Sequence, residues 1–206
     1  MTAADPRLER WLGALLAEPG LTAAGDAAEA RRILLDDALV AAELVEEGPV
    51  VDVGSGGGSP GIPVASVRPD LRVDLLEVQR RRCTFLESAA GGFPNVRVVC
   101  ARAEEHGRGP GRESYATALA QALAPPPVAL EWCLPLVRRG GRVVLLTGEV
   151  DLEQAAHAAA QVGGGTPEAV PLAGSERRAL LVVPKVAPTP EPFPRRPGLA
   201  RKRPLA

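Results

Sequence analysis

Long apolar runs are missing from this sequence: no stretch approaches the ~18 consecutive apolar residues of a bilayer-spanning helix, which excludes such a helix and disfavours a membrane reading. Aromatic residues are scarce, at 3% of 206 residues, so stacking of nucleic-acid bases on the protein is sparse. Cysteine is limited to Cys83, Cys100 and Cys133, widely spaced and without a CxxC pair. They read as buried free thiols rather than a metal site or a disulfide. No apolar h-region follows Met1, and Asp5 and Glu9 stand beside the first arginines, so no secretory signal is expected and the chain reads as cytoplasmic. Excess positive charge is absent too, with a formal net charge of −1. Its distribution is nevertheless uneven. After Glu191 no acid remains, while Arg195, Arg196, Arg201, Lys202 and Arg203 crowd the last dozen positions. Such a basic tail binds phosphate without raising the overall pI.

What is present is the composition of a globular domain, 46% hydrophobic and 24% charged, in a chain long enough for one full core. Leu8, Trp11, Leu12 and Leu15 at helical spacing, ended by Pro19-Gly20, predict a first helix. Asp26 is a candidate N-cap for a second, whose apolar face carries Leu34, Ala38, Ala41 and Val45 as far as about Glu47. From Val50 the pattern changes to short apolar runs separated by helix-length stretches, the signature of a parallel sheet. The runs are Val50 to Val53, Leu71 to Leu76, Val96 to Cys100, Tyr115 to Leu119, Arg142 to Leu146 and Leu180 to Val183. Helices are expected at Pro60 to Val67, Gln79 to Ala90 and Val128 to Val137. Gly163-Gly164-Gly165 reads as a turn before a last hairpin, since no strand precedes it. Beyond Val186, Pro188, Pro190, Pro192, Pro194 and Pro197 forbid regular structure and predict an extended, solvated tail. The organisation is thus a helical cap at 1–48, a Rossmann-like α/β core with a mainly parallel seven-stranded sheet at 49–186, and a Pro/Arg-rich tail at 187–206.

The most informative stretch runs from Val50 to Gly61, where a buried strand enters a glycine-rich turn that opens a helix. Glycines there permit positive φ and close approach of a ligand to the backbone. Gly56-x-Gly58-x-x-Gly61 fits the dinucleotide fingerprint, and Gly54-x-Gly56-x-Gly58 preceded by Asp52 fits the methyltransferase pattern. The second frame is preferred, because Gly54 directly follows the strand and a carboxylate at Asp52 suits a cationic ligand such as S-adenosylmethionine rather than a pyrophosphate. Glu77, at the end of the second run, is placed to accept ribose hydroxyls. Ala103-Glu104, after the third run, are placed to meet the adenine amino edge.

These residues resemble a specific family. Asp52-Val-Gly-Ser-Gly-Gly-Gly-Ser-Pro-Gly-Ile-Pro63 is similar to the loop of the GidB/RsmG proteins, in which Pro-Gly-Ile-Pro follows the glycines. Leu75 to Leu86, Asn95 to Glu105 and the ending Phe193 to Leu205 match in the family's order. The resemblance implies a class I fold and transfer of a methyl group from S-adenosylmethionine to N7 of one guanine in 16S rRNA. It places Gly54, Ser59, Ala103, Glu104 and Gln121 at the cofactor and implies the small ribosomal subunit as partner, with a monomer expected. Four positions depart from the family pattern: Gln121 stands for Arg, Ala116 for Asp, Thr147 for Lys, and Arg32 for His.

Guanine N7 presents an in-plane lone pair and needs no deprotonation, so proximity and alignment supply most of the acceleration. His106, in an expected loop, and His157, on an expected helix surface, are not read as bases. No cysteine follows a proline as pyrimidine C5 transfer requires, and Ala124-Pro-Pro-Pro127 lacks the polar acceptor and aromatic ring of an amino-group methyltransferase loop. For RNA the candidates are Arg81 and Arg82, behind Arg80 at a helix start, together with Arg195, Arg196, Arg201, Lys202 and Arg203. Removal of the tail is expected to weaken RNA binding and leave cofactor affinity intact. Two alternatives stay open: the same fold acting on a small-molecule acceptor, and a non-catalytic relative that binds cofactor or ribosome.

Overall fold

The computed structural model describes residues 5–22, 24–174 and 178–205. Helix α1 (Pro6–Ala17) starts at Asp5, whose carboxylate accepts Arg7 N–H. Asp26 caps α2 (Ala27–Arg31) by accepting Glu29 N–H at 2.8 Å, as its side chain predicts. The expected second helix does not run on unbroken. Its middle, Arg32–Asp36, is a π-helical turn before α3 (Asp37–Ala42).

The chain then alternates: β1 (Val50–Val53), α4 (Gly61–Val67), β2 (Val73–Glu77), α5 (Arg80–Ala90), β3 (Val96–Cys100), α6 (Ala103–Arg108), β4 (Tyr115–Gln121) and α7 (Pro126–Cys133). A 3-10 turn (Leu134–Leu136), β5 (Val137–Thr147), α8 (Leu152–Gln161), β6 (Glu168–Pro171), β7 (Ala179–Pro184) and α9 (Leu199–Lys202) follow. The seven strands form one sheet in the order β3-β2-β1-β4-β5-β7-β6, parallel except for β7, which runs antiparallel to its neighbours. This is the Rossmann-like arrangement that the apolar runs predict. The order reverses between β1 and β4, which opens a crevice at the carboxyl ends of the strands.

Successive strand residues point to opposite faces, and the core divides accordingly. Val50, Val73, Leu75, Val144 and Leu180 join α1, α3, α4 and Leu86 of α5 on one face. Val51, Val53, Leu76, Val143 and Leu181 meet α7 and α8 on the other.

Three expectations are overturned. Cys83 and Cys100 are joined in a disulfide, because α5 packs against β3 and brings their Cα atoms to 5.9 Å despite a sequence separation of 17; Cys133 is free and buried. His106 lies not in a loop but on α6, buried, with Nε2 2.8 Å from Tyr115 Oη. The tail is docked rather than solvated. Its prolines remove N–H groups and leave carbonyls in need of donors. Arginine forks supply them: Arg108 Nε donates to Pro194 O at 2.6 Å, and Arg112 to Phe193 O at 2.6 Å and Thr189 O at 2.8 Å. Ala200 and Leu205 are buried.

Candidate functional site

The glycine turn between β1 and α4 is held from below, behind and beside. Asp52, fully buried in β1, accepts Gly61 N–H at 3.0 Å through Oδ2, tying the start of α4 to the strand. Burial pushes its carboxyl up to about 7, with the Gly61 N–H opposing the shift. Trp11 Nε1 donates to Gly57 O at 2.8 Å, and Leu15 packs so closely that a Cβ on Gly57 would lie 2.4 Å from its Cδ1. Gly58, at φ +103°, is crowded by Ile62 and by Trp11. Gly56, at φ +55°, is different: a Cβ there would find nothing closer than 3.8 Å. It faces open space.

That space is a cleft of about 820 Å³ at the carboxyl ends of β1, β2 and β4. Glu77 reaches into it and is already engaged. Its Oε2 accepts Gly56 N–H at 3.0 Å, while Oε1 accepts Val78 N–H at 2.7 Å and Gln79 N–H at 2.8 Å. A carboxylate offers about four lone-pair sites, so one, on Oε2, remains for a ligand hydroxyl. Arg82 Nη1 lies 4.0 Å from the same oxygen. On the far side Ser59 Oγ is 2.7 Å from both Leu34 O and Gln121 Oε1, its single proton serving one at a time, and Gln121 Nε2 donates to Ile33 O at 2.8 Å. Both carbonyls belong to the π turn, whose widened ladder leaves them available. The sequence expectation of one long helix missed this brace.

The structure therefore brings Gly54, Gly56, Ser59, Glu77, Ala103, Glu104 and Gln121 to one cleft. Asp52 and Gly58 are not among its lining residues. Asp52 is turned toward Gly61 instead of toward a ligand, and Gly58 serves the packing of α1. Leu123, Trp132 and Arg178 line the cleft without having been singled out in the sequence.

A family model described as rRNA small subunit methyltransferase G, GidB, matches residues 11–181. The chain belongs to the GidB family. Its relatives include the ribosomal RNA small subunit methyltransferase G of Moorella thermoacetica, 38% identical over 96% of this chain and 89% of the relative. That of Pelotomaculum thermopropionicum is 40% identical over 76% of this chain and 69% of the relative. Among solved structures, a cofactor-bound protein from MTB superposes with a TM-score of 0.61 at 20% identity, covering 90% of this chain and 92% of that one. A T. Thermophilus 16S rRNA methyltransferase (RsmC) in complex with AdoMet and guanosine gives 0.56 at 18% identity, covering 76% and 40%. These likenesses place the fold among class I methyltransferases.

Within this GidB member the residues proposed from sequence for RNA separate into three groups. Arg82 and Arg201 line the cleft itself. Arg81, Arg196, Lys202 and Arg203 are exposed, Arg81 in an ion pair with Glu18 at 2.6 Å. Arg195 departs from the expectation. It pairs with the buried Glu131 of α7, Nε donating to Oε1 at 2.8 Å, and donates to Arg203 O at 2.7 Å, so it fastens the tail instead of offering a free charge. Of the departures from the GidB pattern, Gln121 and Thr147 line the cleft, Arg32 is exposed on the π turn, and Ala116 is buried near the start of β4 outside it. Cations reach the cleft from other positions, Arg102 and Arg178 among them, Arg178 in an ion pair with Asp37. Among the described residues no helix is long and apolar enough to cross a membrane, and no group of three or more acidic, histidine or cysteine side chains could hold a metal.

Proposed function

We propose that this chain transfers the methyl group of S-adenosylmethionine to N7 of a guanine in 16S rRNA, with the small ribosomal subunit as its partner. The observation that carries the reading is the Gly54–Ser59 turn, open at Gly56 and facing Glu77 across a cleft of about 820 Å³, in a member of the GidB family. That volume lies within the usual range for small-molecule sites, and the residues fit the group. Glu77 Oε2 would take a ribose hydroxyl, the Gly54–Gly56 backbone would border the amino-acid end, and Ala103 and Glu104 would meet the base. When bound, S-adenosylmethionine supplies an electrophilic methyl group on a sulfonium.

No proton has to leave guanine N7 before attack, and no histidine or cysteine is among the residues that line the cleft. The work left to the protein is to hold the acceptor in line and exclude water. Arg82, Arg102 and Arg201 would receive RNA phosphates near the mouth, with Arg81, Arg196, Lys202 and Arg203 around it. Each such contact lowers log K by roughly 0.7 to 0.9 per log unit of salt. A monomer acting in the cytoplasm, with 1–48 as a cap that braces the turn, 49–186 as catalytic core and 187–206 as a fastened tail, fits this assignment.

The test offers 30S subunits lacking the modification, free 16S rRNA and a panel of small molecules together with methyl-labelled cofactor. Label at guanine N7 in the rRNA is the expected outcome. Label only in a small molecule would replace the acceptor; cofactor binding with no label anywhere would make the chain a non-catalytic relative.

A further inference from the structure

Trp132, on α7, is 6% exposed, yet its Nε1–H has no acceptor among the described residues. The chain's other indole, Trp11, is satisfied by Gly57 O. Native folds retain few buried donors without a partner, and a donor that borders a ligand cleft has an evident use for its proton. Trp132 does border the cleft, packed with Ala103 and Leu123 from the segments that follow β3 and β4, and with Ala200 of the tail. The Arg201 guanidinium lies 5.2 Å from its ring centroid, a cation-π contact that holds the indole from outside. Glu104 accepts Gly198 N–H on Oε1 at 3.1 Å, and its Oε2 receives no hydrogen bond among the described residues.

An apolar slot with one unmet donor and one unmet acceptor buried in its wall has the polarity of a 6-aminopurine, whose ring nitrogens accept and whose amino group donates. Its position selects the base. Glu77 ends β2, and Ala103 and Glu104 begin just beyond β3, so the slot lies beside the ribose acceptor. We propose that Trp132 is the adenine-reading residue of this cleft, its Nε1–H donating to a ring nitrogen, and that the tail, through Gly198 and Arg201, is the outer wall of the adenine slot. This rests on the cofactor reading above. The tail thereby serves the cofactor as well as RNA, contrary to the expectation that its removal spares cofactor affinity.

The full chain is titrated with S-adenosylhomocysteine by calorimetry and by NMR of its 15N-labelled indoles. Trp132→Phe keeps an aromatic ring, removes the donor and identifies the Trp132 indole peak by its disappearance. That peak is expected to move downfield in the wild-type chain, and Trp132→Phe to weaken binding about tenfold, the worth of one hydrogen bond. Arg201→Ala is expected to weaken it about threefold. Wild-type binding with a stationary Trp132 peak, or with Trp132→Phe affinity within twofold, overturns the proposal and leaves the cofactor reading standing. A peak that responds to guanosine but not to S-adenosylhomocysteine gives Trp132 to the acceptor and also overturns it. Absence of wild-type binding removes both readings. If Trp132→Phe does not fold, Trp11→Phe identifies the Trp132 peak as the indole that remains, and the same peak criteria apply.

Discussion

At the amino ends of the parallel strands, Tyr115 Oη donates to Asp74 at 2.8 Å, His106 Nε2 meets the same hydroxyl at 2.8 Å, and Arg97 pairs with Asp74. Nearby, Lys185 buries its ammonium and donates to Leu134 O at 3.1 Å, Val162 O at 3.0 Å and Thr189 Oγ1. At the carboxyl ends the accounting is left open: Asp52 Oδ1 and Trp132 Nε1 are buried without a partner. One end closes its hydrogen bonds and is built for stability. The other leaves one group unmet beneath the glycine turn and one beside the cleft, at a cost of roughly 1–3 kcal/mol for each.

The sharpest way to break this contrast is Gly56→Val. A β-branched side chain at φ +55° is strained, and its methyl groups would enter the cleft. S-adenosylhomocysteine affinity is expected to fall more than ~100-fold by calorimetry, and unchanged affinity would move the site elsewhere. Lys185→Met acts at the opposite end: three acceptors lose their donor, and chemical denaturation should report a loss of about 2–3 kcal/mol with cofactor affinity within twofold. Burial lowers the Lys185 ammonium to about 8 against the pull of Glu113, which is why the figure is kept below that of a fully compensated ion pair.

Asp52→Asn is expected to stabilise. The Asp52 carboxyl is raised to about 7 in the folded chain, so between roughly pH 4 and 7 the folded state holds a proton that the unfolded state has released. Stability is therefore lost as pH rises through that window. The amide oxygen keeps the Gly61 N–H bond, and the variant should gain about 2 kcal/mol at pH 8 and nothing at pH 4, read as the difference between two denaturation midpoints. Tyr115→Phe is the smallest of the set. It leaves Asp74 its arginine and His106 without an acceptor, and a loss of about 1 kcal/mol is expected at pH 7.

The turn from Val53 to Gly61 was legible in the sequence because its message is local: the strand end, positive-φ glycines and the helix start lie within nine residues. The position of Glu77 at the end of β2 was legible because an apolar run stops there. What stayed hidden depends on residues far apart in the chain. The Cys83–Cys100 bond needs β3 laid beside α5. The order of the tail needs Arg108 and Arg112 to satisfy carbonyls that prolines leave bare, so a composition that reads as disorder folds through donors supplied some 80 residues earlier. Asp52 fits a pattern for ligand contact, yet the register of β1 turns it under the loop. Trp132 carries no local signal at all, since the slot it borders exists only once the tail has folded back over α7.

The π turn at Arg32–Asp36 acts as an index mark for everything N-terminal to the sheet. Each helical residue advances the chain by about 100°, so deleting any one of those five positions would restore a regular ladder and swing α2 by that angle relative to α3. Ile33 and Leu34 would then turn their carbonyls along the helix, and Ser59 and Gln121 would keep only each other as partners. Sequences aligned with a one-residue gap in this segment should be read as belonging to proteins whose loop is braced by other means.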